Sequence, residues 1–136
     1  MREQRTILII DDDEDLVRFL SLFLQENGYK TIAAYDGQQG LRRARAEEPD
    51  LILLDITMPT KSGVRCYREL RQDPELGRTP VVMVTGVTLD FKRFIHTRRQ
   101  VLPPDGYLPK PVDRQALLDT ISRLLRAPGS DRRSDR

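Results

Sequence analysis

Short, dense apolar runs along the chain are separated by longer stretches in which apolar residues recur every three or four positions. The runs Ile7 to Ile10, Leu51 to Leu54 and Val81 to Val84 are four residues each, β-branched or leucine-rich, and bounded by Asp, Pro or Thr. Strands buried on both faces read this way, because neither face needs polar residues. The pattern predicts strands over Thr6 to Ile10, Lys30 to Ala34, Leu51 to Leu54 and Val81 to Thr85, with a short fifth at Tyr107 to Leu108. Between them, helical spacing joins Leu16, Leu20, Phe23 and Leu24; Leu41 and Ala44; Val64, Tyr67 and Leu70; and Leu117, Ile121 and Leu125. Local signals agree. Gly28 ends the first helix, Asp36 with Gln39 forms a capping-box pattern, Pro49 closes the second helix and Asp113 caps the last.

Strands alternating with helices predict an α/β fold, a parallel sheet with right-handed crossovers and helices on both faces. Such doubly wound sheets bind ligands beyond the carboxyl ends of their strands. The length of 136 residues fits one core. Charged residues are 32% and hydrophobic ones 38%, a polar but foldable balance. The net charge of +2 is too small to indicate nucleic-acid binding, so no direct nucleic-acid partner is expected. A lone Cys66 and a lone His96 exclude an intrachain disulfide and a Cys/His zinc site, and suit a reducing cytoplasm. No apolar run is long enough for a membrane span and MREQR leads into no signal-peptide core, so a cytoplasmic location without membrane contact is expected. The segment Ala127 to Arg136 reads as a disordered tail or linker stump.

At the predicted strand ends the residue types change together. The first strand runs into Asp11, Asp12, Asp13, Glu14 and Asp15. The last three fall in a first helical turn, where the helix dipole favours acids. Asp11 and Asp12 precede the helix and face the loop edge, and Asp55 ends the third strand at the same edge. If first and third strands are neighbours, as in the order 2-1-3-4-5, three carboxylates meet. Their repulsion then raises their pKa values and opposes folding unless a cation intervenes. A hard divalent ion such as Mg²⁺ suits an all-oxygen set, and Lys110, after the fifth strand, is the second candidate. Thr85 adds a hydroxyl, and Gly86 leaves room beside it. A carboxylate nucleophile, a cation and a metal are what phosphoryl transfer requires.

These pieces resemble the receiver domain of the two-component response-regulator family, of the single-domain, chemotaxis-regulator kind. The resemblance is carried by ILIIDD at Ile7 to Asp12, LILLDITMP at Leu51 to Pro59 with Gly63 beyond, VVMVTG at Val81 to Gly86 and YLPKP at Tyr107 to Pro111. It covers residues 5 to 126 and implies a flavodoxin-like (βα)5 fold. It implies that Asp55 is the phosphoacceptor, taking phosphate from the phosphohistidine of a sensor histidine kinase or phosphotransfer protein. It further implies that Asp12, Asp55 and the Thr57 backbone carbonyl ligate Mg²⁺, with Asp11 acting through a water. By the same resemblance Lys110 pairs with Asp55 and then with the phosphoryl group, Thr85 bonds a phosphoryl oxygen, Tyr107 is the rotameric switch, and the Lys110–Pro111 peptide is cis. Output is expected through a surface of fourth helix, fifth strand and fifth helix, towards a downstream protein or a phosphorylation-linked homodimer. The domain is then a signalling phosphoacceptor rather than an enzyme.

Several features depart from the family's pattern. The Gly-Ala pair often found before the fifth strand is missing, Pro103 and Pro104 break any helix there, and Pro109 precedes Lys110. The fourth helical segment, Thr88 to Gln100, carries Lys92, Arg93, Arg98 and Arg99 against Asp90, interleaved with Phe91, Phe94 and Ile95. Thr57 and Val87 occupy positions that tune phosphoryl lifetime and cannot orient an attacking water as a carboxylate or amide would, so slow self-dephosphorylation is expected. A haloacid-dehalogenase-type phosphatase is the closest rival, but it needs a general acid where this chain has Thr57. A degenerate receiver acting only as an interaction module would lack site residues that are present here. A flavin-binding protein would need a phosphate loop where this chain has carboxylates.

Overall fold

The computed structural model describes residues 4–56, 62–86 and 104–126. Within them run β1 (Thr6–Ile10), α1 (Glu14–Glu26), β2 (Lys30–Ala34), α2 (Gly37–Glu47), β3 (Leu51–Asp55), α3 (Ser62–Gln72), β4 (Val81–Thr85), β5 (Gly106–Pro109) and α4 (Arg114–Arg126), α4 being the fifth helical segment of the sequence. The strands form one parallel sheet in the order β2-β1-β3-β4-β5. Because side chains alternate along a strand, each central strand feeds two cores. Leu8, Ile10, Ile52 and Leu54 pack with α2 and α3, while Ile7, Ile9, Leu51 and Leu53 pack with α1 and α4. All five residues of β3 and of β4 are buried, as expected of strands covered on both faces.

The helix ends follow local chemistry. Gly28, at φ 93°, takes the left-handed position after α1; its N–H donates to the Gln25 carbonyl and that of Tyr29 to the Leu24 carbonyl. Asp36 accepts the Gln39 N–H at 2.8 Å, and the returning Gln39 side chain accepts from the Tyr35 N–H rather than that of Asp36. Asp113 caps α4 through the Ala116 N–H. Gly40 lets α2 lie on the sheet, since a Cβ there would stand 2.5 Å from Ile10 Cδ1.

Some boundaries differ from the sequence-based expectation. Asp13 is the N-cap of α1, accepting the Leu16 N–H at 3.1 Å, and not a first-turn residue. Asp55 is the last residue of β3 rather than the residue after it, paired in register with Val84. Glu48, with φ 48°, makes the left-handed turn that ends α2 before Pro49 is reached. On β5 the strand extends to Gly106 and Pro109. An edge strand tolerates a residue without an N–H. In α3 the inward positions include Cys66, while Val64 is half-buried. Thr57, Met58, Pro59, Val87, the Thr88 to Gln100 segment, Pro103 and the Ala127 to Arg136 tail lie outside the described residues.

Candidate functional site

The topology makes β1 and β3 neighbours, so their carboxyl ends lie side by side. Asp11 follows β1 and extends its ladder, donating its N–H to the Ala34 carbonyl at 3.1 Å. Its carboxylate is 3% exposed and accepts the Asp13 N–H at 2.9 Å. Asp55, at 2% exposure, ends β3, while Asp12 faces solvent. Carboxylate oxygens of Asp11, Asp12 and Asp55 lie within 4.8 Å of one another. Lys110, directly after β5, brings its Nζ to 3.1 Å from Asp11 Oδ2 and 3.5 Å from Asp55 Oδ2. It thus stands nearer Asp11 than Asp55, the partner that the family resemblance assigned. Its backbone N–H donates to the Thr85 carbonyl at 2.9 Å, which ties the end of β5 to the end of β4. The Lys110–Pro111 peptide is cis.

Charge within the site is unevenly compensated. Burial pushes the Asp11 carboxyl above its ordinary range and the Asp55 charge adds to this, against the Asp13 N–H and Lys110. Burial alone would lower the Lys110 ammonium's pKa, but its hydrogen bond to Asp11 and the charges of Asp11 and Asp55 outweigh burial and raise it. A cluster of hard oxygen donors that still holds a carboxyl above its usual pKa fits a small divalent cation such as Mg²⁺.

Thr85 ends β4 fully buried, so its hydroxyl sits at the same edge. A Cβ on Gly86 would meet no described atom within 4 Å, so the space there does not depend on the missing side chain. Tyr107 is half-buried against the core beneath α2 and α3, and burial raises its phenol pKa. Sequence reasoning gave no role to Gly63 beyond its place in the resemblance. A Cβ at that position would collide with the Ile56 Cα and come within 2.6 Å of the Asp55 carbonyl oxygen, so α3 starts against the backbone that carries Asp55. Sequence reasoning also missed Asp50 and Asp105, whose signal was an Asp directly before a strand.

A family model described as the response regulator receiver domain matches residues 7–122. Protein PilH of Pseudomonas aeruginosa is 35% identical over 119 residues, covering 88% of this chain and 96% of PilH. The alkaline phosphatase synthesis transcriptional regulatory protein PhoP of Bacillus subtilis is 32% identical over 136 residues, covering 96% of this chain and 55% of PhoP, so the chain spans about half of that relative. Among solved structures, the receiver domain of the sensor histidine kinase PA1611 from Pseudomonas aeruginosa, with a magnesium ion coordinated in its active site cleft, is 27% identical with a TM-score of 0.78, covering 89% of this chain and 97% of that one. A sheet in this order, with acids at the ends of β1 and β3 and a lysine after β5, agrees with these matches: the chain belongs to the response-regulator receiver family of two-component systems.

Proposed function

We propose that the domain accepts a phosphoryl group on Asp55 and uses it to switch a protein-binding surface. The observation that carries this reading is the meeting of Asp55 with Asp11, Asp12 and Lys110 at one sheet edge. An Asp55 oxygen attacks phosphorus as the nitrogen–phosphorus bond of a partner's phosphohistidine breaks, and the electron pair leaves with the imidazole. Asp12, Asp55 and the Thr57 carbonyl would hold Mg²⁺, with Asp11 acting through water; when bound, the ion supplies positive charge for the phosphoryl oxygens. Lys110 exchanges its carboxylate contact for a phosphoryl oxygen, Thr85 donates to another, and Tyr107 turns inward as Thr85 moves. The expected partners are a sensor histidine kinase or phosphotransfer protein upstream, and a protein or second copy of the chain downstream. Among the described residues, no helix is long and apolar enough to cross a membrane.

With Mg²⁺ and acetyl phosphate, intact-mass measurement should show one added phosphoryl group, and Asp55→Asn should abolish it. No gain in the wild type, or sustained turnover of a phosphomonoester, would overturn the reading, the latter in favour of a phosphatase. Beryllofluoride should shift the association state or partner binding of the wild type, and Lys110→Ala should uncouple that shift from phosphorylation. Thr57→Asn should speed hydrolysis of the phosphorylated form, followed as decay of the added mass.

A further inference from the structure

The carboxyl end of β5 serves the site; its amino end is held by a separate arrangement. Asp105, directly before β5, accepts the Val81 N–H at 2.8 Å and donates its own N–H to the Val81 carbonyl at 2.9 Å. The Arg71 guanidinium, from the last turn of α3, lies 2.6 Å from the same carboxylate oxygen. Arg71 is itself fixed. Its Nη1 donates to the Thr79 carbonyl at 2.9 Å, its Nε donates to the Tyr67 hydroxyl at 3.3 Å, and the guanidinium stands 5.1 Å from the Tyr67 ring centroid. Its side chain is 10% exposed. A planar fork of donors serves three directions at once, which an ammonium on a flexible stem does less well.

We infer that Arg71 is a positioning residue: by clasping Asp105 it sets the register of β5 on β4, and so the points from which Lys110 reaches Asp11 and Asp55 and Tyr107 meets the core. Its catalytic readout rests on the phosphoacceptor reading above. The strand carries little register information of its own. It is four residues long, begins with Gly106, ends with Pro109, pairs with β4 and buries only Leu108. A slip of one residue would move Lys110 by about 3.3 Å and exchange the faces of Tyr107 and Leu108. That would take Lys110 out of ion-pair reach of one carboxylate. The clasp therefore acts along a strand of about 13 Å, through backbone geometry and not through contact with the reacting atoms.

The test compares Arg71→Met, Arg71→Lys and Lys110→Ala, and combines the first with the last, in the full chain. At saturating Mg²⁺, Arg71→Met should slow phosphorylation by acetyl phosphate about tenfold, since a small misplacement of a charge-stabilising group costs rate. Lys110→Ala should itself slow phosphorylation without abolishing it, in that background Arg71→Met should add no further loss, and Arg71→Lys should recover part of the rate. Amide exchange at Lys110, whose N–H is bonded to the Thr85 carbonyl, should accelerate about tenfold more than at Leu8 and Leu53. An equal loss in both backgrounds, or uniform acceleration of exchange, would reduce Arg71 to a general stabiliser and overturn the inference. Should the wild type take no phosphoryl group, the function proposed above fails while the exchange comparison still decides the role of Arg71. If Arg71→Met does not fold, Asp105→Asn is read on the same scale.

Discussion

At the amino-terminal end of the sheet, Asp50, Asp73 and Asp105 each meet an arginine: Arg5 at 3.7 Å, Arg45 at 3.1 Å and Arg71 at 2.6 Å. Each also accepts a backbone N–H, from Thr6, Glu75 and Val81 respectively. At the carboxyl end, Asp11, Asp12 and Asp55 crowd together, and Lys110 reaches two of them. The pKa directions record the contrast. Burial works to raise Asp73, yet the N–H donors and Arg45 hold it below its ordinary value, whereas Asp11 is held above its own. One end settles its charges within the fold. The other leaves a negative excess that a solute cation can relieve, so binding there gains from repulsion already present in the folded chain.

Removing a carboxylate should therefore have opposite effects at the two ends. The largest change is expected for Asp105→Ala, which leaves the Val81 N–H and the partly buried Arg71 without this acceptor. About 2 kcal/mol of stability should be lost in urea unfolding, equally with and without Mg²⁺. A loss that appeared only with Mg²⁺ would break the contrast. Next comes Asp11→Asn. The amide keeps an acceptor for the Asp13 N–H but removes one repelling charge, so without divalent ions the variant should be more stable by about 1 kcal/mol. With Mg²⁺ in excess the order should reverse, because the wild type gains by mass action. Stabilisation that persisted in Mg²⁺ would mean that Asp11 contributes nothing to cation binding.

The smallest effect concerns pH. Asp73 has a folded-state pKa below the unfolded 3.8, so the stability it contributes is present above that value and is lost as pH falls through the folded value. The deficit of Asp73→Asn relative to wild type, followed by thermal unfolding, should be constant near neutrality and should shrink below pH 3.8. A deficit unchanged down to the acid transition would show that Asp73 acts through hydrogen bonds shared by the amide and not through its charge.

The carboxyl end was more legible in the sequence than the amino end, for a physical reason. Burying both faces of β1, β3 and β4 forces continuous apolar runs, so a charged or hydroxyl residue at the end of a run stands out. Asp11, Asp55 and Thr85 stand out this way, and Lys110 by its place after a short fifth run. The amino-end pairs carry no such contrast. Arg71 sits in the last turn of a helix, where a cation reads as an ordinary solvated residue, and Asp105 lies 34 positions away. Periodicity reports what a residue's own element buries, not which distant charge it meets. The same limit explains β5, whose Gly106 and Pro109 are poor strand formers held by pairing with β4. It also explains Glu48, where a residue other than glycine takes the left-handed turn that ends α2.

The twin bonds between Val81 and Asp105 have a consequence for descent. They pin the start of β4 to the start of β5, and the Lys110 N–H pins the strands' far ends. The intervening stretch of chain is thus bracketed by anchors that owe nothing to its own sequence. The alignment of β4 with β5, and with it the placing of Thr85 beside Lys110, can therefore persist while the sequence between Gly86 and Pro104 diverges.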